Sequence, residues 1–268
     1  MSTQHMYIQK DLVDNPRGVV LITHGLGEHS GRYDDWVLDL NRADISVFRY
    51  DLPGHGRSRK GDWLFEDFEV LVAALESQYT IAMDYSEAER VPLFLFGHSM
   101  GGLITADFVT RFSPKTAGVI LSAPALDAGE IVKPWMIRMA GLLRKVLPGL
   151  PVLSLPPEQL ARDPEVVTGY KKDPLVYHGK IKVKTGYELL SRMEVVKQKG
   201  NAFHHSLLMV QGQSDQIVRP EVAKTFFDQV SAEDKSWHSF AGMYHEVLHD
   251  IGNEKVKAVI LKWVDQRM

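Results

Sequence analysis

Apolar residues are grouped in two ways along this chain. Short runs rich in Val, Ile, Leu and Phe predict buried strands, because a strand covered on both faces needs no polar side. Segments in which apolar positions return every three or four residues predict helices at residues 65–85, 103–112, 220–230 and 256–264. The predicted strands are Gly18–Thr23, Ile45–Tyr50, Leu93–Phe96, Gly118–Ser122, Leu207–Gln211 and Ser236–Phe240.

The order of these elements predicts the fold class. Strands that alternate with helices favour an α/β architecture, with a mostly parallel central sheet and helices on both of its faces. In such a sheet ligands bind at the carboxyl ends of the strands. We therefore look for the chemistry of this protein in the loops that follow the predicted strands.

The alternation stops between residues 126 and 195. This stretch has no convincing strand and several prolines, and residues 131–147 form an amphipathic segment with Lys133, Arg138, Arg144 and Lys145 among its apolar positions. We interpret it as an inserted helical cap, between core segments 1–125 and 196–268. Its apolar stripe is expected to pack on the core in part, and in part to line an acyl-chain tunnel or touch a membrane surface.

Composition narrows the classes of function. The net charge of −3 disfavours nucleic acid as the main partner. Residues 130–200 nevertheless hold 13 Lys and Arg against 7 Asp and Glu. This basic stretch is either a solvated face or a surface for anionic lipid or an acidic substrate. There is no cysteine, no signal peptide is visible, and no apolar run approaches about 18 residues. We expect a cytoplasmic protein, with peripheral membrane contact as a further hypothesis.

The motif Gly97-His98-Ser99-Met100-Gly101 carries the strongest chemical signal. It has the G-x-S-x-G pattern and lies between a predicted strand and a predicted helix, which is the setting of a nucleophile elbow. The flanking glycines leave room where strand and helix cross. We interpret Ser99 as a nucleophile; the alternative is a serine that merely forms a tight turn.

A serine hydroxyl needs a base, which is usually a histidine oriented by a carboxylate. In this architecture the acid follows the serine along the chain and the histidine comes last. Asp215 follows the strand that ends near Gln211, and His245 follows the predicted strand at residues 236–240. The competing residues are less well placed: Asp84 and Asp228 fall on predicted helices, Asp234 follows a helix, and His204 and His205 precede a strand. We therefore predict a Ser99–Asp215–His245 triad.

The negative charge that develops on an attacked carbonyl oxygen needs hydrogen-bond donors already in place. The amide of Met100, at the start of the predicted helix, is one candidate. The amide of Leu26 is the second, because His24-Gly25-Leu26-Gly27-Glu28 follows a predicted strand and its glycines allow close approach. The alternative for Leu26 is an ordinary glycine-rich turn.

A second motif includes the same histidine. Residues 245–249 read His-Glu-Val-Leu-His, which matches the H-E-x-x-H signature of zinc proteases. That signature requires a helix, whereas Gly242 and the predicted strand before it put His245 in a loop. A zinc site would also leave Ser99 and Asp215 unexplained, so we favour the serine mechanism.

Four motifs together resemble one known family. The stretches at residues 24–33 (HGLGEHSGRY), 51–58 (DLPGHGRS), 97–102 (GHSMGG) and 212–215 (GQSD) are similar to the monoacylglycerol lipase and lysophospholipase branch of the α/β-hydrolases. The resemblance implies the same triad and the same donors at Leu26 and Met100. It also implies a polar pocket for a glycerol head group near Glu28, Arg32 and Tyr170; the alternative for Glu28 and Arg32 is a plain ion pair.

The resemblance implies a function as well. We expect a serine hydrolase that cleaves monoacylglycerol or a similar lipid ester through an acyl-enzyme, without a metal or an organic cofactor. Lysophospholipase or general carboxylesterase activity is the nearest alternative. A peptidase of the same fold and a non-catalytic ligand-binding relative are more remote ones. The expected partners are the lipid substrate and, through the cap, a transient membrane surface, but no nucleic acid.

Overall fold

The computed structural model describes residues 6–59, 61, 64–129, 132 and 134–268. Its strands are β1 (Ile8–Asp11), β2 (Gly18–Thr23), β3 (Ile45–Tyr50), β4 (Leu93–His98), β5 (Gly118–Ser122), β6 (Pro151–Leu153), β7 (Ile181–Lys182), β8 (Leu207–Gly212) and β9 (Lys235–Phe240). Its α-helices are α1 (Asp34–Arg42), α2 (Glu69–Glu89), α3 (Met100–Phe112), α4 (Pro134–Leu143), α5 (Pro164–Lys172), α6 (Val183–Val196), α7 (Pro220–Gln229) and α8 (Asn253–Asp265).

Seven strands form the central sheet, in the order β1-β3-β2-β4-β5-β8-β9. Only the edge strand β1 is antiparallel to its neighbour within this sheet; the other pairs are parallel. The predicted strands all lie in it, which confirms the α/β fold class. Because the parallel strands are in register, the loops after β2, β4, β8 and β9 emerge at one edge.

Both faces of the sheet are covered, which explains the continuous apolar runs. Along β2, Val19 and Leu21 pack into one hydrophobic core with residues of α2, α3 and α7. Val20 and Ile22 point the other way and pack into a second core with residues of α1 and α8. All six residues of β2 are buried. Successive side chains of the strand point to opposite faces of the sheet, so one apolar run contributes to both hydrophobic cores.

The segment between β5 and β8 differs in part from the expectation. The prediction that it lacks strands is wrong, because β6 and β7 pair as a separate antiparallel sheet. Strands of three and two residues are too short to show a period of two in the sequence. The predicted amphipathic helix is present as α4 over residues 134–143, whereas residues 130, 131 and 133 lie outside the described residues.

Hydrogen bonds attach residues 126–195, which we call the cap segment, to the core beside the strand ends. The Tyr177 amide donates to the Gly27 carbonyl at 2.7 Å, and the Glu246 amide donates to the Leu160 carbonyl at 2.8 Å. The Thr185 hydroxyl donates to the carbonyl of Phe65. The cap segment therefore lies over the loops that follow β2 and β9. None of the helices in the described part of the chain is long and apolar enough to cross a membrane.

The crossing of β2 and α3 gives a test of the packing. A Cβ atom added at Gly101 would lie 2.1 Å from the carbonyl oxygen of Thr23, so strand and helix would have to separate. We expect Gly101→Ala to lower the free energy of unfolding by about 1–3 kcal/mol. Gly169→Ala is the matched control, since this helical glycine has no described atom within 4 Å of an added Cβ. It should raise stability by about 0.5–1 kcal/mol.

Urea unfolding of both variants beside the wild type measures the two effects. Similar changes in the two variants would contradict the claim that close backbone contact requires glycine at residue 101.

Candidate active site

Ser99 is held in a strained turn between β4 and α3. Its backbone has φ 52° and ψ −117°, a conformation that costs a non-glycine residue free energy. The Ser99 amide donates to the Ser122 carbonyl at 2.9 Å, and the Ser99 carbonyl accepts from the amides of Leu103 and Ala125 at 3.0 and 2.9 Å. These bonds from β5, α3 and the following loop hold the turn in place. Gly97 is needed as well, because an added Cβ would lie 2.5 Å from the Gly101 carbonyl oxygen.

The structure brings the three predicted triad residues together. His245 Nε2 lies 2.8 Å from the hydroxyl oxygen of Ser99, and His245 Nδ1 lies 2.8 Å from Oδ2 of Asp215. An ionised carboxylate can only accept, so Nδ1 carries the proton and donates it to Asp215. Nε2 is then the acceptor for the Ser99 hydroxyl. This is the arrangement in which the imidazole can take the serine proton.

Asp215 is fixed by hydrogen bonds from its own loop, from the end of β8 and from His245. Its Oδ1 accepts the amides of Ile217 and Val218 at 2.8 and 3.0 Å. Its Oδ2 accepts both the His245 imidazole and the side-chain amide of Gln211 at 2.8 Å. Gln211 was not among the predicted site residues, although a polar residue at the end of an apolar run is a signal that the sequence does contain. With these four donors the carboxylate has no freedom to rotate away from His245.

Opposing effects act on the proton affinity of His245. Burial alone lowers the pKa of His245, but the charge and hydrogen bond of Asp215 outweigh it, so the pKa is raised above its ordinary value of 6.5. The carboxylates of Glu246 and Glu28 contribute in the same direction. The neighbouring ring of His98, 5.0 Å away between centroids, stays neutral because burial lowers the pKa of His98 to about 4.

The residues of the two predicted oxyanion donors, Leu26 and Met100, line the same cavity as Ser99. Met100 is the first residue of α3, so its amide has no carbonyl within the helix to bind. Leu26 lies in the turn after β2, and both residues line a cavity that reaches Ser99. These positions fit the predicted role of the two amides.

The cavity over Ser99 is large and apolar. It has a volume of about 320 Å³, and its walls come mainly from the cap segment. Apolar side chains of α4 and α6 line it, among them Met136, Met139, Leu143, Leu189, Leu190 and Met193. A second cavity of about 190 Å³ shares Leu26, Leu155 and Ile181 with the first and includes hydroxyl-bearing Ser154, Tyr170 and Tyr177 in its lining.

Glu28 and Arg32 are engaged with protein groups. Arg32 Nη1 donates to Glu28 Oε2 at 2.8 Å and to Glu246 Oε1 at 2.5 Å, while Nη2 donates to Glu246 Oε2 at 2.6 Å. The ring of Tyr170 covers the guanidinium at 4.9 Å. The ion pair weighed as the alternative is therefore present. Glu28 and Tyr170 also line a small polar cavity beside Ser99 and His245, and Glu246 joins them there.

The H-E-x-x-H motif does not form a zinc site in this arrangement. Residues 245–249 are not helical. His245 is bound to Ser99 and Asp215, His249 Nε2 is 2.8 Å from the Arg32 carbonyl oxygen, and Glu246 is bound to Arg32. Among the described residues no group of three or more His, Asp or Glu side chains is placed to hold a metal ion. The sequence reasoning considered Glu246 only as part of this motif and so missed its contact with Arg32.

The chain is similar to known proteins over most of its length. The family described as serine aminopeptidase, S33, matches residues 14–252. A monoacylglycerol lipase of Mycolicibacterium smegmatis is 32% identical over 257 residues, which cover 93% of this chain and 89% of that protein. A monoglyceride lipase of Rattus norvegicus is 34% identical over 262 residues, covering 94% of this chain and 84% of that protein.

The same similarity is seen in three dimensions. The crystal structure of a monoacylglycerol lipase from Paleococcus ferrophilus matches with a TM-score of 0.87 at 32% identity, covering 98% of this chain and 100% of that one. The range matched by the family, residues 14–252, contains Ser99, Asp215, His245 and the whole cap segment. The chain therefore belongs to the monoacylglycerol lipase branch of the α/β-hydrolases, within the family described as serine aminopeptidase, S33.

Proposed function

We propose that this protein hydrolyses monoacylglycerols to a fatty acid and glycerol through an acyl-enzyme on Ser99. One observation carries the proposal: the hydrogen-bonded chain Ser99–His245–Asp215 ends at an apolar cavity large enough for an acyl chain. Relatives named as monoacylglycerol lipases over nearly the whole chain support the substrate class.

In the first step Ser99 Oγ attacks the ester carbonyl carbon as its proton passes to His245 Nε2. Asp215 holds the imidazole in the required tautomer and stabilises the imidazolium. The carbonyl oxygen becomes negative and is bound by the amides of Leu26 and Met100; each such donor contributes about 2.7–4 kcal/mol. The tetrahedral intermediate then expels the alcohol, which takes its proton from His245, and the acyl group remains on Ser99.

The second step repeats this sequence with water. His245 takes a proton from the water, whose oxygen attacks the acyl carbon, and the same two amides bind the oxygen that becomes negative. Collapse of the intermediate releases the fatty acid and returns the proton to Ser99. In this scheme the triad supplies all the acid–base chemistry.

The two cavities divide the substrate. The acyl chain occupies the 320 Å³ cavity, whose lining is apolar, and the alcohol faces Tyr170 in the small cavity that also contains Ser99 and His245. An apolar cavity of this kind suits a fatty acyl group better than a charged peptide terminus, whose burial without a partner is costly. This favours ester hydrolysis over peptidase activity.

We also propose that the cap segment contacts membrane surfaces, where this substrate is found. Trp135, Leu142 and Val146 are 65%, 70% and 77% exposed, and the basic residues Arg138 and Lys145 are exposed beside them. An amphipathic surface with this composition binds the interface of anionic lipid bilayers.

Replacement of Ser99 tests the chemistry. Ser99→Ala should lower kcat on a monoacylglycerol by about a millionfold, because no other group supplies the nucleophile. It should also abolish labelling by a fluorophosphonate. Ser231→Ala, at an exposed serine, is the control and should behave as the wild type. Assays on monoacylglycerol, lysophosphatidylcholine and short aryl esters separate the substrate classes, and near-normal turnover by Ser99→Ala would refute the assignment.

The pH profile tests the base. Only neutral His245 can accept the serine proton, so kcat/KM should fall as the pH drops through the pKa of His245. Since that pKa is raised, the acid limb should lie above pH 6.5. Asp215→Asn removes the charge that raises the pKa of His245, so the acid limb of the kcat/KM profile should move to lower pH. The same variant should lower kcat about ten-thousandfold. A limb that keeps its position in the Asp215 variant would argue against this electrostatic coupling.

Liposome flotation tests the membrane surface. The triple variant Trp135→Ser, Leu142→Ser, Val146→Ser should lose most of its binding to anionic vesicles, because each change removes exposed apolar area from the interface. The control variant Leu38→Ser, Ile251→Ser changes exposed apolar residues outside the cap segment and should float normally. Equal flotation of the two variants would exclude the cap segment as the contact surface.

A further inference from the structure

Three buried charged side chains lie directly behind the catalytic centre. Glu28, Arg32 and Glu246 have side chains that are 3%, 10% and 3% exposed, and they form one connected group. Buried charges are costly unless they are well paired, so their position calls for an explanation. Burial opposes ionisation of the two carboxylates, but the Arg32 guanidinium outweighs it and lowers the pKa of both Glu28 and Glu246.

Glu28 fixes the turn that carries one oxyanion donor. Its Oε1 accepts the Gly25 amide at 2.5 Å and the Tyr33 hydroxyl at 2.9 Å. The Gly25 carbonyl lies 2.8 Å from His24 Nδ1, which must be the protonated nitrogen because Nε2 accepts the Leu52 amide. In a trans peptide the N–H points away from the C=O, so this bond also sets the direction of the Leu26 N–H.

Glu246 fixes the loop that carries the base. It follows His245 directly in the chain, and both of its oxygens accept from Arg32. The backbone of Arg32 binds the same loop, since its carbonyl oxygen is 2.8 Å from His249 Nε2. Side chain and main chain of Arg32 therefore hold the His245 loop at two points.

We infer that Glu28, Arg32 and Glu246 form a clamp that holds the oxyanion turn and the His245 loop in register. The inference rests on the proposed function, and it makes these residues positioning residues rather than ligands of the alcohol. The geometry favours this role most directly for Arg32, which is covered by Tyr170 and does not line the described cavities near Ser99. Glu28 and Glu246 do line the small cavity beside Ser99, but their oxygens already accept from the Gly25 amide and from Arg32. A planar guanidinium suits the clamp because one group reaches two carboxylates.

Two conservative variants test the clamp. Glu246→Gln removes the charge but keeps the shape, and Arg32→Lys keeps the charge but loses the fork that reaches both carboxylates. Each should lower kcat about 10- to 100-fold with KM unchanged, since a misplacement of about 1 Å costs about that much. Glu233→Gln, at an exposed glutamate, is the matched control and should retain full activity.

A pair of esters separates positioning from binding. The clamp predicts equal losses on a glycerol monoester and on the methyl ester of the same fatty acid, because the defect lies in the reaction centre. It also predicts that affinity for an alkyl trifluoromethyl ketone falls in parallel with kcat, since the bound hemiketal places its oxygen on the same amides. Rates are expressed per folded molecule, with thermal unfolding and circular dichroism measured on each variant.

Each other outcome has a definite meaning. A loss confined to the glycerol ester would make Glu28 and Arg32 head-group ligands and overturn the clamp. A normal rate per folded molecule, with lowered thermal stability alone, would reduce the cluster to a structural ion pair and also overturn it. If the wild type cleaves the methyl ester but not monoacylglycerol, the proposed substrate is wrong while the clamp is still tested. The rate of fluorophosphonate labelling of Ser99 gives the same comparison without any ester substrate.

Discussion

The hydrogen bond between the Ser99 hydroxyl and His245 Nε2 places the strictest demand on this fold. Its partners are 146 positions apart in the chain and come together at 2.8 Å only because β4 and β9 end at the same edge of one sheet. The Ser99 proton can be accepted only if His245 Nε2 is unprotonated. Asp215 ensures this, because its carboxylate accepts the proton of Nδ1. Asp215 is in turn held by backbone amides of its own loop. A parallel sheet satisfies all of these requirements with short loops.

The position of Ser99 is maintained at a local cost in backbone strain. Its positive φ lifts the hydroxyl out of the sheet, and the turn stays in this conformation because hydrogen bonds from β5 and α3 fix it on both sides. The contact between α3 and β2 is so close that Gly101 has no room for a side chain. The close packing that stabilises the fold therefore also orients the nucleophile, through the same few residues.

The sequence predicted the residues whose place is set by the order of strands and loops. It did not predict contacts between side chains that are distant in the chain. Ser99, Asp215 and His245 each follow a predicted strand, so parallel pairing was enough to place them together. The partnership of Arg32 with Glu246 joins residues 214 positions apart, and no local pattern reveals it. Strands β6 and β7 were not predicted, because strands of three and two residues are too short to show alternation of apolar and polar positions. The volume of the acyl cavity depends on how α4 and α6 pack, which periodicity does not determine.

The balance of charge around His245 connects the clamp with the proposed chemistry. Glu28 and Glu246 carry two negative charges against one positive charge on Arg32, so a net negative charge lies behind the imidazole in addition to that of Asp215. It favours the imidazolium of the reaction intermediate, and the burial of His245 strengthens the effect by excluding water. The same charge raises the pKa of His245 and so increases the inactive, protonated fraction in acid. Arg32 limits the rise in the pKa of His245, because without Arg32 two unpaired carboxylates would lie near the imidazole.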